Sequence, residues 1–313
     1  MSSTYRAGYD LTELVYIKET GGFGITPTTG AWNPVWRVRN FRPRRVPEHQ
    51  EPTGVGSQVP VEFLLMKEHS EIDFEIDVVK KQTSPTAYNW KDFLMFWVAT
   101  GQTSPPSNHI DSFSIGGKLT ITTPEYWWGK GHKLRTFEIR GERLNDYVKA
   151  RVGLLGQVLT FGTTDYVSGS ATRVVNPVSA GVRFGDADVL VGPVGTPVSI
   201  IGDLETFSLN LSRTINPRGT DSTNHSLYKQ LVEENRQYQL EIKQDFDSTT
   251  ELTRFMASTD LDATVKVPSE AGGVSINLTN GRWLDHQIPV DELKLIGLTL
   301  TARFKAMTVA DIS

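Results

Sequence analysis

Cysteine is absent from all 313 residues, which excludes disulfides, thiolate chemistry and cysteine-ligated zinc. No apolar run approaches the length that spans a bilayer. The opening MSSTYRAGYDLTELVYIKET lacks a basic stretch followed by an apolar one, so no secretory signal is expected. A basic excess is missing too: the net charge of -4 argues against a dedicated nucleic-acid binder. The six histidines are scattered, with no HxH or HExxH pair. His69 stands near Glu68 and Glu71, but strand neighbours point to opposite faces, which favours a plain strand over a metal cluster. GGFG at 21–24 lacks the spacing of a phosphate loop, and no GxSxG is present. No pattern calls for a cofactor, a metal or a catalytic group, so an enzyme is not expected.

What is present is mostly period two, the signature of strands. GLTLTARFKAM puts Leu298, Leu300, Ala302 and Phe304 on one face and Thr299, Thr301 and Arg303 on the other. FSIGGKLTI, VGLLGQVLTF, ATVKVP and VSINL read the same way, with Gly, Pro and Asn between them. Helical stretches are few: residues 89–101 and 248–257, with a short turn at 226–234. Both halves run strand, long arm, strand, helix, strands, a weak internal repeat with a period near half the chain. The expectation is an all-β protein with isolated helices, divided into domains 1–170 and 171–313. Their joint falls in the turn-rich region around 167–202, which also holds an expected short hairpin, GVRFGDADVLVG.

Three features stand out. Glu71, Asp73, Glu75 and Asp77 occupy every second position of one strand, a continuous acidic stripe that stability alone does not favour. Glu241, Asp245 and Asp247 repeat it in diluted form on the matching strand, interrupted by Lys243. An ordinary solvated face and a wall that repels a polyanion are both open readings. The second feature is a pair of arms, 42–58 and 216–226, carrying Arg42, Arg44 and Arg45 in the first. Arg213 and Arg218 belong to the second. These arginines are too sparse for nucleic acid and fit docking on a neighbouring subunit. The third is TPEYWWGKGHK, read as a loop whose Tyr126, Trp127 and Trp128 either pack inside or anchor a partner.

The order of elements resembles the tail tube proteins of long-tailed, siphovirus-like bacteriophages and related viruses, in the branch where one chain carries two tube domains. YIKETGGFGITPTTGAW, with Glu19, Phe23, Gly24 and Pro27, is similar to that branch's opening segment. SFSIGGKL and FEIRGERLNDYVKARVGLLGQ are similar to its central strands. GVRFGDADVLVGPVGTPVSIIGDLETFSLNLSRTI and LKLIGLTLTARF are similar to its second domain. The resemblance implies two tandem β-sandwich or barrel domains, each with a flanking helix and a long arm. It also implies homotrimeric rings that mimic hexamers and stack into a virion tail tube, assembled in the host cytoplasm, for DNA delivery. The partners it implies are further copies, the tail terminator, tape measure and distal tail proteins, and DNA passing without specific binding. A distal tail or baseplate hub ring is the alternative within viral structure. A glycan-binding sandwich using Trp127, Trp128 and Trp283 is the alternative outside it, and a hydrolase has least support.

Overall fold

The computed structural model describes residues 11–35, 37–50, 64–80, 89–98, 112–120, 124–145, 147–174, 180–219, 227–245, 253, 256–287 and 297–312. The first half supplies β1 (Leu11–Lys18), β2 (Ala31–Pro34), β3 (Val38–Gln50) and β4 (Leu64–Asp77). Helix α1 (Asn89–Val98) follows, then β5 (Phe113–Thr120), β6 (Pro124–Glu142), β7 (Lys149–Gly156), β8 (Val158–Gly162) and the short β9 (Thr172–Arg173). The second half supplies β10 (Asp188–Pro193), β11 (Val198–Ser199), β12 (Leu204–Arg218) and β13 (Gln230–Asp245). It ends with β14 (Leu261–Val267), β15 (Val274–Gln287), β16 (Gly297–Phe304) and β17 (Ala306–Asp311). The fold is all-β, as the period-two reading expects.

Apart from the short β9, which pairs in parallel with β2, the ladders repeat strand for strand. In the first half β1 pairs with β2 and β5, β3 with β4, β4 with β7, and β6 with β5, β7 and β8. In the second, β10 pairs with β11 and β14, β12 with β13, β13 with β16, and β15 with β14, β16 and β17. Bulges repeat too: at Arg135, between Leu134 and Thr136 on β6, and at Leu284, between Trp283 and Asp285 on β15. One ladder joins the halves, β6 to β12. The result is one long antiparallel sheet in the order β3-β4-β7-β6-β12-β13-β16-β15. Among the described residues, its two outer strands, β3 and the end of β15, have one ladder neighbour each within it.

One face of this sheet is apolar and builds the core. Ile72, Phe74 and Ile76 on β4, Ala150, Val152 and Leu154 on β7, and Leu240 and Ile242 on β13 are all buried. They join a single cluster that runs through both halves. Helix α1 caps the first half with Trp90, Phe93, Leu94 and Trp97, a spacing that lines one helical face. The two halves solve one packing problem in opposite ways. A Cβ on Gly156 would meet the His132 ring at 2.3 Å, and a Cβ on Gly281 would meet the Phe304 ring at 2.3 Å. The large side chain sits on β6 in one half and on β16 in the other, with glycine facing it each time. Burial pushes the His132 imidazole down to about 3, so it is neutral, and its Nε2 lies 3.0 Å from Ser70 Oγ.

Several local expectations are corrected. The first arm begins as strand, not loop: β3 runs on through Pro43 and Pro47 to Gln50. Proline is tolerated there because an outer strand has a side without ladder bonds. The expected turn at 226–234 is absent among its described residues, 227–234, because Gln230 onward is strand β13. In TPEYWWGKGHK the residues from Pro124 on are the start of β6, with Trp127 buried by pairing between β5 and β8. GVRFGDADVLVG is not a hairpin: a 3-10 turn at Phe184–Asp186 leads into β10, which pairs with β14. The expected helix 248–257 and most of both arm tips lie largely outside the described residues.

Candidate functional site

The polar face of the long sheet carries the acidic stripe, and the structure pairs it. Glu71 accepts a 2.6 Å hydrogen bond from Arg44 Nε and one of 2.9 Å from Arg135 Nη1. Glu75 lies 3.0 Å from Arg140 and 3.4 Å from Lys149. Asp77 lies 3.2 Å from Arg39 and 3.7 Å from Arg37. Asp73 is 3.9 Å from Arg135 and, at 48% side-chain exposure, is the one member open to solvent; the other three are below 10%. The repulsion expected along β4 is therefore offset by cations from β3, β6 and β7, and the stripe is a mixed carpet of both signs. Burial opposes ionisation of Glu71, but the bond from Arg44 and the nearby charges of Arg135 and Arg44 hold its carboxyl below the ordinary value.

The matching part of the second half is mostly uncharged. Thr206, Ser208, Asn210 and Ser212 alternate with buried Phe207, Leu209 and Leu211. Glu241 is exposed, and Lys243 pairs with Glu205 at 2.5 Å. Asp245 ends β13, and Asp247 lies outside the described residues.

The arginines of the arms behave differently from one another. Arg44 and Arg45 bind back to Glu71 and Glu68 of β4, keeping 67% and 55% of their side chains exposed. Arg42 is exposed, with its Cα opposite Asp73. Arg218 is exposed and pairs with Glu234 at 3.0 Å. Arg213 is no arm contact at all. Its side chain is fully buried, donates to the carbonyl of Leu134, pairs with Glu233 at 3.0 Å and lies over the Trp97 ring at 4.8 Å. Burial pushes its guanidinium down to about 10, offset by Glu233, so it stays charged at neutral pH. An Arg213→Ala variant is expected to lose about 3–5 kcal/mol, the cost of breaking a buried pair, whereas Arg213→Met loses less because it refills the space over Trp97. Urea unfolding of both variants checks this; equal losses would show that the charge contributes nothing.

The described base of the second arm packs inside its own chain. It extends β12 and β13, placing Ile215 and Leu231 against Leu155 and Phe23 of the first half. Lys133 Nζ donates to the Leu231 carbonyl at 2.6 Å, and Gln157 Nε2 donates to the Tyr228 carbonyl at 2.7 Å. Leu227 then bridges to Glu68, and the Tyr228 hydroxyl donates to Glu48 at 2.5 Å. The strand that feeds this arm thus delivers it onto the neighbouring half.

A further centre gathers on Glu19, which the sequence reading names only as part of the opening segment YIKETGGFGITPTTGAW. Glu19 is buried at the end of β1 and accepts four hydrogen bonds. Oε2 takes Gly24 N at 2.8 Å and Ser112 Oγ at 2.5 Å; Oε1 takes Ser114 Oγ and Gly131 N, both at 2.8 Å. The sequence signal for it is a lone carboxylate entering a glycine-rich turn, ETGGFG, where free backbone donors need an acceptor. Trp127 and Trp283 are both buried, so neither is a sugar platform.

Comparison with known proteins gives three findings. A family model described as phage tail tube protein matches residues 10–306. A chain of the anti-feeding prophage baseplate, 6-fold symmetrised, is similar at 12% identity and a TM-score of 0.28, covering 41% of this chain and 92% of that one. A chain of the anti-feeding prophage tube-terminating cap is similar at 13% identity and a TM-score of 0.33, covering 44% and 96%. No curated protein matches.

Proposed function

The chain belongs to the phage tail tube protein family, and from that premise we propose that it polymerises as stacked homotrimeric rings into the tail tube that conducts DNA to the host. Membership makes it a structural component of a phage tail. The finer reading rests on one observation, the ladder between β6 and β12. That ladder joins two four-stranded units of matching topology edge to edge and leaves β3 and β15 as the same two edges, still open. Repeating the joint between copies closes the sheet into a barrel and removes its exposed edges. Two units per chain make three chains a pseudo-hexamer. Domains 1–170 and 171–313 are the two tube domains of this reading, which is that of the siphovirus-like branch. The polar face, with Glu71, Asp73, Glu75, Asp77 and Glu241, lines the lumen, and Asp245 and Asp247 continue the expected row in sequence. Tail terminator, tape measure and distal tail proteins meet the tube, DNA passes without specific binding, and assembly takes place in the host cytoplasm.

The repeat fixes the register of the missing joint. Within the chain, Ser212 of β12 faces Thr136 of β6, the residue after the bulge. The corresponding residues are Val46, which faces His69 as Ser212 faces Gln237, and Asp285, the residue after the second bulge. Val46 of one copy should therefore sit opposite Asp285 of the next. Cross-strand Cα atoms lie within disulfide reach, and the chain has no cysteine to compete. A Val46→Cys, Asp285→Cys double variant is expected to give covalent trimers on oxidation and tubes by negative-stain electron microscopy. Rings without the cross-link would reject the register, and a chain that never forms rings would reject the function.

A further inference from the structure

We propose that the first arm of each copy docks on a cationic seat in the second half of its neighbour, as the second arm docks within its own chain. This rests on the ring proposed above and goes beyond it by naming both surfaces. The seat of the second arm consists of Leu155, Lys133 and Gln157, the last in the one-residue link between β7 and β8. Lys133 pairs across from Leu155 one residue before Leu134 and its bulge. In the second half, Arg282 pairs across from Arg303 one residue before Trp283 and its bulge, and Lys305 is the one-residue link between β16 and β17.

The corresponding seat is thus Arg303, Arg282 and Lys305, all exposed. Nothing of this chain covers Arg303 among the described residues the way Ile215 and Leu231 cover Leu155, although Arg282 is held by Asp260 at 2.5 Å. The two donor positions, Lys133 and Gln157, remain donors as Arg282 and Lys305. The apolar contact Leu155 has become a charge. The first arm differs from the second in the matching sense. Beyond its three arginines, from 50 to 62, the positions that match 216–230, it contains Glu51 and Glu62 and no Lys or Arg, whereas 216–230 contains Arg218, Lys229 and a single Asp221. Leu231, the anchor of the second arm, faces Pro217 on β12; counted along the sequence, its match in the first arm is Phe63, which lies outside the described residues. An acidic arm with one aromatic anchor therefore meets three cations at an edge that the β3 to β15 joint brings beside it.

Charge complementarity of this kind acts on specificity and association and is screened by salt. The wild-type chain is compared with an Arg303→Glu, Lys305→Glu variant and with that variant also carrying Glu51→Lys and Glu62→Lys. Static light scattering gives the concentration at which polymers appear, and circular dichroism melting checks that each monomer folds. The expected result is a rise of about tenfold or more in that concentration for the reversed seat, with recovery when the arm is reversed too. The wild-type value should rise with sodium chloride and that of the reversed seat should not. Unchanged assembly of the seat variant, or no recovery in the double reversal, overturns the docking while the ring stands. Absence of rings in the wild type overturns the ring itself.

Discussion

Glu19→Ala is expected to destabilise the first half by about 3–5 kcal/mol. Four donors converge on this carboxylate: two backbone N–H groups, of Gly24 and Gly131, and the hydroxyls of Ser112 and Ser114. Each buried donor left without an acceptor costs about 1–3 kcal/mol, and removing the side chain also opens a cavity. The hydroxyls can turn to other acceptors, but the backbone groups cannot, which keeps the sum below four full penalties. Glu19→Gln isolates the electrostatic part at nearly constant volume, since its amide turns two hydrogens toward donors; it should cost about 2–4 kcal/mol. The consequences reach the second arm. Gly24 and Gly131 flank Phe23, and Phe23 packs against Ile215 and Leu231. A shallow protease digest should then cut 219–229 earlier in the variant than in wild type. Urea unfolding energies within about 1 kcal/mol of wild type would mean that water replaces the carboxylate and that the centre is not structural.

The order of elements along the chain and their repeat are legible in the sequence because they rest on alternation. Phe207, Leu209 and Leu211 against Ser208, Asn210 and Ser212 can only be a half-buried strand, and the order of such strands survives where residue identity does not. The arms mislead for a physical reason. Pro43, Pro47 and Pro217 read as breakers, yet each sits in a strand that the sheet order allows to be irregular, and that order is not written locally. Trp127 and Trp128 read as loop residues because GKGHK follows them, while the long β6 carries its residues through two sheets. Glu19 and Arg213 are invisible as centres because their partners lie 79 or more positions away on other parts of the chain, apart from Gly24 and Glu233. The stripe on β4 is readable as a row but not as a balanced one. Its cations come from Arg37, Arg39 and Arg44 before it, and from Arg135, Arg140 and Lys149 after it, and only the register brings them over the carboxylates.

That balance changes what a substitution in the stripe should do. Replacing Glu71, Asp73, Glu75 and Asp77 together with lysine is expected to prevent folding, because Glu75 and Asp77 are buried and their partners Arg140, Lys149, Arg37 and Arg39 would face like charges. The informative variant is Glu71→Gln, Glu75→Gln, which keeps the shape and removes two negative charges per chain. Arg44, Arg140 and Lys149 then lose the carboxylates they pair with, and Arg135 keeps only the longer 3.9 Å contact with Asp73. If that face lines the conduit, each freed cation becomes a site that DNA phosphates can occupy with counterion release, repeated in every ring. In the wild-type wall these four cations are already engaged by Glu71 and Glu75. Tubes should form, DNA ejection from assembled particles should slow or stall, and the defect should be greatest at low salt, where the screening length exceeds its physiological value of about 8 Å. Acid should mimic the variant only weakly. The Glu71 carboxyl is held below its ordinary value of 4.5, so its pairs contribute fully at neutral pH and are lost only as pH falls through that lowered value. Ejection rates equal to wild type at low salt would show that the paired carboxylates do not meet the DNA and that this face is turned away from the conduit.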